Sequence, residues 1–354
     1  MRTGGRTNPS GTDMKPQTEQ MPCSPKLTIT EYIGAQMTLH RQGRLYKGRC
    51  PFCGKAAFLV DGAAERFGCT ACGSGGDLMA FIQQTRKVGQ AEAAQLLATF
   101  ARRKAERIRR ETLCQAADFY HQQLCTNPNA AMAGAALRDL GLDSSTAGRL
   151  TIGFHDAHFQ TLRRYAAATG MHHDTLKALH CVRTTNGKDF DAMRNSIIVP
   201  LRNPAGDVVG FDAYLFHKKC WCPYPDTEDF TRTTQLYGLY LAAQSGRETV
   251  LVVADYADYF RLVQRGVTNV VFPYGAELTD AQAKLLRQSF QRVLLWLPRG
   301  LSRNSCWAAC RRCGLPCAEL PLSDCNTPSE YLRKYGSETI EVQIQRGENK
   351  PPRR

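Results

Sequence analysis

The amino-acid sequence contains no long apolar run and nothing that resembles an export signal. No stretch approaches the roughly 20 consecutive apolar residues that a membrane-spanning helix needs, and residues 1–25 are polar rather than signal-like. The sequence also has no internal repeat and no basic amphipathic helix with a clean apolar face. These absences argue against a membrane-spanning, membrane-surface or secreted protein, and we expect a cytoplasmic one without a membrane partner.

Acidic residues are scarce relative to basic ones. The 354 residues include 46 Lys and Arg but 32 Asp and Glu, which gives a formal net charge of +14. Such an excess of positive charge indicates a polyanionic partner, most commonly nucleic acid. Hydrophobic residues make up 43% of the chain, which is ample for packed cores and excludes a wholly disordered protein.

The pattern of apolar residues predicts a multidomain protein of the α+β and α/β classes. Near the end of the chain, short apolar runs at 249–253, 267–272 and 293–297 each precede helical sequence, which indicates a small parallel sheet covered by helices. Two runs at 196–201 and 208–216 flank a turn-rich segment and predict a hairpin. The predicted segments are a flexible tail (1–25), a cysteine-containing module (26–101), a basic helical linker (102–125), a mixed α/β lobe (126–245), the parallel-sheet domain (246–345) and a basic tail (346–354).

Two Cys-x-x-Cys pairs predict a zinc site. Cys50 and Cys53 form the first pair, and Cys69 and Cys72 form the second. Four thiolates at this spacing suit a tetrahedral zinc ion and complete its coordination, so the site is structural rather than catalytic. The intervening strands, at 57–60 and 66–68, make a ribbon that is too small to fold without the ion.

A second group of cysteines lies near the end of the chain. The total of 15 cysteines is odd, so they cannot all form intramolecular disulfides, and a cytoplasmic setting favours reduced thiols. The first three of the group are spaced as on one helix face, and burial in the core is the favoured interpretation. A second zinc or iron–sulfur site and a redox pair remain open. The group consists of Cys306, Cys310, Cys313 and Cys317.

Basic and aromatic residues alternate around the predicted ribbon. This combination is typical of single-strand binding, in which bases stack on rings and cations neutralise phosphates. The alternative is that the rings fill the core of the ribbon. The candidate residues are Lys47, Arg49, Lys55, Phe58, Arg66 and Phe67. The basic run at 102–110 has two similar interpretations, a solvated helix face or a linker that follows phosphates.

Several motifs of this chain, in order, resemble those of one family. At the ribbon they are segments 46–53, 58–60, 67–69 and 76–81, with Gly76-Asp77-Leu78-Met79-Ala80-Phe81 as the last. Further along they are Leu150-Thr151-Ile152-Gly153-Phe154, segment 194–201, Val209-Gly210-Phe211, Leu236-Tyr237-Gly238-Leu239 and segment 270–282. These segments resemble the zinc-binding domain and catalytic core of bacterial DnaG-type DNA primases. Most members have histidine at the position of Cys53, whereas some phage primases have four cysteines.

The resemblance implies a primase-type zinc ribbon, a primase N-terminal lobe over 126–245 and a TOPRIM domain over 246–345. It also implies a role in DNA replication, with single-stranded template as partner and Arg194, Lys218 and Lys219 as contacts to it. A replicative helicase or another replisome subunit is a further expected partner, and the cytoplasmic protein would then be nucleoid-associated. A counterpart of the family's C-terminal, helicase-binding part is missing from the resemblance.

The family's catalytic acids are not matched. Primer synthesis needs divalent metal ions, which carboxylates hold. Ala254 stands where the family has a glutamate, and Leu297 and Arg299 stand where it has two aspartates. The main hypothesis is therefore a degenerate TOPRIM domain that keeps the fold without metal-dependent catalysis.

Two alternatives remain open. The first is an active primase with magnesium or manganese held by a rearranged site, or completed by another subunit. Its candidate acids are Asp255, Asp258, Asp324 and Glu277. The second is a zinc-dependent adaptor that binds replication proteins instead of DNA.

Overall fold

The computed structural model describes residues 27–350 except 228, 276, 302 and 337. The predicted tail at 1–25 therefore lies outside the described residues. The chain divides into two compact units, residues 1–102 and 103–354, and each is described by itself. None of the described helices has the length and apolar character needed to cross a bilayer.

The first unit is a five-stranded antiparallel ribbon with two short helices. Its strands pair in chain order, so that each neighbour in sequence is a neighbour in the sheet. Helix α1 begins at a capping box in which Thr28 and Glu31 satisfy each other's backbone N–H groups. The elements are α1 (Ile29–Gly34), β1 (His40–Gln42), β2 (Leu45–Gly48), β3 (Phe58–Asp61), β4 (Arg66–Cys69), β5 (Gly75–Gly76) and α2 (Leu78–Arg86).

A small aromatic core fills the ribbon. Phe58 and Val60 alternate inward along β3, and Phe67 faces them from β4. Phe81 of α2 packs edge-on against Phe67, with ring centroids 5.3 Å apart. The same core contains Ile29, Tyr32, Ile33 and Ile82, so helices α1 and α2 both pack against the ribbon.

A long helix, α3 (Gln90–Thr126), begins in the first unit and continues into the second. The predicted linker at 102–125 is therefore helical, but it is not simply a connecting segment. Leu113, Phe119 and Tyr120 are buried in a core that also contains Phe211 of the lobe. The basic run at 102–110 precedes this apolar face, so the final turns of α3 are part of the lobe's core.

The first part of the second unit is a lobe around a four-stranded antiparallel sheet of order β11-β10-β9-β6. The predicted hairpin is β9 and β10, with Ile198 opposite Ala213. A separate two-stranded hairpin pairs β7 with β8. The elements are α4 (Ala131–Leu140), α5 (Ser144–Arg149), β6 (Gly153–His155), α6 (Thr161–Thr169), α7 (His173–Ala178), β7 (Val182–Thr185), β8 (Lys188–Asp191), β9 (Ser196–Arg202), β10 (Val208–Leu215) and β11 (Cys220–Cys222).

The second part is the expected small parallel sheet. Its order is β12-β14-β13-β15-β16, with β12 antiparallel and the other pairs parallel. The central strands are buried along their length, as expected for a sheet covered on both faces. The elements are β12 (Leu236–Tyr237), α8 (Leu239–Ala243), β13 (Thr249–Val252), α9 (Tyr256–Gln264), β14 (Val270–Pro273), α10 (Asp280–Ser289), β15 (Arg292–Leu295), α11 (Asn304–Arg312), β16 (Cys317–Glu319), α12 (Pro328–Tyr335) and α13 (Glu338–Glu348).

Two predicted boundaries were wrong. The strand expected from 267 begins at Val270, because the N–H of Val267 donates to Leu262 and closes the end of α9, and the Asn269 side chain donates to Thr249. The basic tail expected from 346 overlaps α13, whose Gly347 lies against Leu320. The fold class itself is confirmed.

Substitution of Gly153 with alanine tests the packing of α3 against the lobe. A Cβ at Gly153 would lie 2.4 Å from the Cβ of Tyr120 and 2.7 Å from its carbonyl carbon. Because backbone and core must shift, we expect Gly153→Ala to lower the free energy of unfolding by about 2–3 kcal/mol. Gly148→Ala, in α5 with open space around it, should be neutral or slightly stabilising. All three tryptophans lie in this unit, so urea unfolding followed by tryptophan fluorescence makes the comparison. Equal stability of the two variants would contradict this packing.

Candidate functional site

The four predicted zinc ligands lie together at one end of the ribbon. The Sγ atoms of Cys50 and Cys72 are 3.8 Å apart, and those of Cys53 and Cys69 are also 3.8 Å apart. All four sulfurs lie within 4.8 Å of one another. Sulfurs placed about 2.3 Å from a tetrahedral ion are about 3.8 Å apart, so the cluster has the dimensions of a zinc–tetrathiolate site.

Each Cys pair sits in a tight turn that aims its sulfurs inward. Gly54 and Gly73 follow the two pairs with φ of +73° and +76°, a left-handed conformation that favours glycine. The N–H of Gly54 donates to the carbonyl of Cys50, and that of Gly73 donates to the carbonyl of Cys69. The two turns are therefore equivalent in their backbone bonding, which is why Cys-x-x-Cys spacing is needed at both.

The thiols differ in their surroundings. The hydrogen bond with Ser74 lowers the pKa of Cys72 to about 6, whereas burial raises the pKa of Cys50 to about 11. Metal ligation requires thiolates. Cys72 already has thiolate character at neutral pH, whereas the buried Cys50 loses its proton only when a cation compensates its charge.

The predicted nucleic-acid residues of the ribbon separate into two groups. Lys47, Arg49, Lys55 and Arg66 are exposed, as binding to phosphate requires. Phe58 is 0% exposed and Phe67 is 5% exposed. The prediction that these two rings contact nucleic acid is therefore corrected, since they form the core of the ribbon and present no face to a base.

A surface groove of about 450 Å³ lies beside the exposed cations. Arg41, Lys47 and Arg49 contribute positive charge to its lining, which also includes His40. The groove borders strands β1 and β2. It is therefore a surface where an anionic chain can approach the ribbon.

At the carboxyl end of the parallel sheet, which we call the carboxyl edge, lie the positions where the family has metal-binding acids. Strands β13 and β15 are adjacent and parallel, with Val252 opposite Leu295, so the residues after them meet at the carboxyl end. Ala254 there is half-buried against the core and Leu297 is buried. Neither side chain offers an oxygen ligand.

Arg299 occupies this edge as a cation that is bonded to the protein itself. Its guanidinium donates to the carbonyl of Ser323, and its backbone N–H donates to Asn326 at 2.7 Å. A positive charge here disfavours a divalent cation by Coulomb repulsion. The edge is thus occupied by apolar and basic groups where the resemblance leads one to expect carboxylates.

The remaining acidic candidates do not come together. Asp255 caps α9 by accepting from the N–H of Asp258, and Asp324 pairs with Lys334 and Tyr335. Glu277 is exposed. Within residues 27–350, omitting the four undescribed positions, the cysteine cluster is the one group of three or more potential ligands close enough to share an ion.

Asp258 is buried and bonded to helix α12. Its Oδ1 accepts from the N–H of Ser329 at 2.9 Å and from the Ser329 hydroxyl, near the start of that helix. Its Oδ2 has no hydrogen-bond partner in the described part of the chain. Burial, together with the nearby charge of Asp255, raises the pKa of Asp258 to about 6.

The predicted template residue Arg194 takes part in an arrangement that sequence reasoning missed. Its guanidinium lies 3.8 Å from the centroid of the Phe159 ring, and Phe159 is 53% exposed. The ring also packs edge-on against Phe190. We call Phe159 and Arg194 the platform. The residues are 35 positions apart in sequence, and no local motif connects them.

The other predicted residues have simpler environments. Lys218 and Lys219 are exposed in the turn between β10 and β11, and their role stays a prediction. Cys306, Cys310 and Cys317 are buried in the core beside the parallel sheet, as the burial interpretation expects. The Cys313 thiol is half-buried, 3.6 Å from the carbonyl of Asp280.

Sequence reasoning also missed a buried ion pair between the lobe and the parallel sheet. Asp212 of β10 accepts from the Arg232 guanidinium and, at 2.8 Å, from the hydroxyl of Tyr256 in α9. The backbone N–H of Tyr224 donates to the same carboxylate at 2.7 Å. These bonds connect the lobe's antiparallel sheet to the parallel-sheet part of the second unit.

Comparisons with known families agree with the two parts of this architecture. Residues 17–112 match the CHC2 zinc finger family. Residues 119–243 match the family described as DNA primase catalytic core, N-terminal domain. The fold and the thiol cluster thus define a zinc-ribbon protein with a primase-type core.

Curated relatives extend the match along the chain. The DNA primase of Clostridium acetobutylicum is 26% identical over 335 residues, and that of Halalkalibacterium halodurans is 27% identical over 345. The alignments cover 88% and 89% of this chain but 56% and 57% of those proteins. The chain therefore spans little more than half the length of the relatives it matches.

Solved structures show the same fold. The zinc-binding and RNA polymerase domains of Aquifex aeolicus primase align with 91% of this chain and 83% of that one, with a TM-score of 0.61 and 24% identity. A DnaG primase catalytic domain bound to single-stranded DNA aligns with 68% of this chain and 81% of that one, with a TM-score of 0.60 and 25% identity. The chain belongs to the bacterial DnaG-type DNA primase family.

Zinc content tests the cysteine cluster. We expect one zinc per chain, and we expect the Cys50→Ser/Cys69→Ser variant to hold almost none, because two of four thiolates are lost. Cys114→Ser, which removes an exposed thiol in α3, should retain the full amount. Elemental analysis of chelator-dialysed protein measures all three. Full zinc retention in the double variant would place the metal elsewhere.

Asp258→Asn tests whether this carboxyl group is a buried structural group. The native pKa of about 6 lies above the ordinary value near 4, so the native state binds the proton more tightly than the unfolded state. Stability should therefore fall by about 2–3 kcal/mol as pH rises from about 4 to about 6, and stay low above it. Asp258→Asn should remove this contribution and stabilise the protein at neutral pH.

The control for this measurement is Asp118→Asn, at an exposed position of α3. Urea unfolding at a series of pH values gives the difference between each variant and the parent. A difference curve for Asp258→Asn that stays flat between about pH 4 and 6 would contradict the burial argument.

Proposed function

We propose that this chain is a primase-family protein that binds single-stranded DNA in replication and does not synthesise primers with its own parallel-sheet domain. The observation that carries the proposal is the chemistry of the carboxyl edge, where Ala254, Leu297 and Arg299 stand in place of metal-binding acids. Without a cluster of carboxylates, this edge cannot hold the divalent ions that phosphoryl transfer uses.

The DNA-binding half of the proposal is supported by charge and by the platform. An exposed ring stacked by a guanidinium offers a face on which a base can stack without sequence preference. Phe159 and Arg194 have this geometry on the lobe. The net charge of +14 and the exposed cations of the ribbon supply the phosphate contacts.

The zinc ion, when bound, would act structurally in this function. Held by Cys50, Cys53, Cys69 and Cys72, it would fix the two turns from which the ribbon strands start. Lys47 and Arg49 lie on and beside β2, so their placement depends on these turns. The proposed role lies in the cytoplasm, where a replicative helicase or another replisome subunit is the proposed protein partner.

A rearranged active site is the second candidate function. It is favoured by Asp258, whose Oδ2 lacks a hydrogen-bond partner in the described part of the chain. The bond from Oδ1 to Ser329 and the outward position of Asp255 weigh against it. A catalytic pair of ions needs several oxygens directed at one point.

Oligonucleotide binding tests the first half of the proposal. We expect the full chain to bind a labelled single-stranded oligonucleotide at low ionic strength, with affinity that falls steeply as salt rises. Phe159→Ala should weaken binding by about tenfold because a stacking face is lost. Met132→Ala, which truncates another exposed apolar residue of the lobe, should leave affinity unchanged. Fluorescence anisotropy measures each dissociation constant. An affinity that changes neither with salt nor in Phe159→Ala would favour the protein adaptor.

Primer synthesis tests the second half. With single-stranded template, labelled ribonucleotides and magnesium or manganese, we expect no extended product. The control reaction contains Asp258→Asn, whose background should match that of the parent. Products from the parent that disappear in Asp258→Asn or Asp255→Asn would establish the rearranged active site instead.

A further inference from the structure

We infer that His155 is a buried imidazolium that positions the platform, so that single-stranded DNA binding by the lobe depends on the protonation of this one side chain. The inference rests on the proposed function, because it concerns how the proposed DNA-binding surface is held. Nothing in the four-cysteine site or the carboxyl edge of the parallel sheet involves His155.

The geometry around the imidazole requires two donors. His155 ends strand β6 and is 1% exposed. Its Nδ1 lies 3.0 Å from the carbonyl oxygen of Asp156, and its Nε2 lies 3.3 Å from Oδ2 of Asp191. Both partners only accept hydrogen bonds, Asp191 in its ionised form. A neutral imidazole has one N–H, so one of these contacts would place a nitrogen lone pair against an oxygen.

The two aspartates in turn hold the loop that carries Phe159. Asp156 Oδ1 accepts from the backbone N–H of His158 and from the hydroxyl of Thr161, each at 3.1 Å. Asp191 accepts from the N–H of Leu162 at 2.8 Å, and its own N–H donates to the carbonyl of Phe159 at 3.0 Å. The loop from 156 to 161 is thus held by hydrogen bonds on both sides of Phe159 in the chain.

The same network holds the other half of the platform. The backbone carbonyl of Asp156 accepts from the N–H of Asn195 at 2.9 Å, and the Arg194 guanidinium donates to the carbonyl of Ala157 at 3.4 Å. The side chain of Asn127 donates to Asp156 Oδ2. A change at His155 is therefore transmitted to Phe159 through Asp191. It is transmitted to Arg194 through Asp156.

Other titratable groups face the imidazole, Tyr120 and Asp191 among them. Burial raises the pKa of Tyr120, whose ring on α3 lies 5.7 Å from the imidazole, well above its usual value. Burial also raises the pKa of Cys181, which lies beside Asp191, to about 12. The hydrogen bond with His155 holds the pKa of Asp156 well below its usual range.

The pKa of His155 itself is raised. Burial acts to lower it, but the hydrogen bonds to Asp156 and Asp191 outweigh that effect. The bonding of the imidazolium is therefore complete below the ordinary histidine pKa of about 6.5, and is lost as pH rises through the higher native value. The affinity of the platform for DNA should fall over the same range.

The test compares the parent with His155→Gln, which keeps polar atoms but cannot carry charge. Binding of a labelled single-stranded oligonucleotide is measured on the full chain from about pH 6 to about pH 9 at fixed salt. We expect parental affinity to fall about fivefold to tenfold across this range, and His155→Gln to show the lower affinity at every pH. His173→Gln, which alters a more exposed histidine bonded to Asp189 at 2.7 Å, should follow the parent.

A second measurement does not depend on the variant folding. Imidazole nitrogen and carbon NMR shifts of the parent report whether His155 is charged at neutral pH, with or without DNA. A neutral His155 would overturn the inference, as would parental affinity and pH dependence in His155→Gln. Failure of the parent to bind DNA at any pH, with His155 shown to be charged, would overturn the proposed function instead.

Discussion

Mutual repulsion among four thiolates is the constraint on which the first unit depends. Sulfurs held 3.8 Å apart in pairs, all within 4.8 Å, carry like charges when ionised. A divalent cation at their centre would turn this repulsion into an attraction that closes the ribbon. Three buried phenylalanine rings pack in the core of this unit together with Ile29, Tyr32, Ile33 and Ile82. We propose that Lys47, exposed on β2, and Arg49 beside it take their positions from this arrangement.

The second unit has the family fold, and we propose that the chemistry at the carboxyl end of its parallel sheet differs. The order of the parallel sheet follows from buried strands and helix crossovers, which do not depend on the side chains at the strand ends. Those ends hold Ala254, Leu297 and a backbone-bonded Arg299. In contrast, the lobe contains a buried polar network beneath an exposed ring and guanidinium. Under the proposed function, the polar side chains of this unit support a binding surface rather than a metal ion.

The sequence was most informative where local pattern decides structure. The spacing of Cys50, Cys53, Cys69 and Cys72 predicted the cluster, and helix α11 follows the apolar run at 293–297 as predicted. The fate of Phe58 and Phe67 could not be predicted, because an aromatic residue on a ribbon suits either face. The start of β14 was also missed, since the bond from Val267 back to α9 forms only after the chain folds. The platform pairs Phe159 with Arg194, and the His155 imidazole contacts Asp191. The sequence does not reveal either contact, because the two residues of each pair lie far apart in the chain.

Direct binding of manganese tests whether the carboxyl end of the parallel sheet holds a metal ion. Electron paramagnetic resonance distinguishes free Mn²⁺ from Mn²⁺ held by several carboxylates, and it requires neither template nor nucleotide. For the zinc-loaded chain, we expect a spectrum of free Mn²⁺ at micromolar concentrations, unchanged by Asp258→Asn. Stoichiometric binding that is lost in Asp258→Asn would contradict it and identify a working metal site at the edge of the parallel sheet.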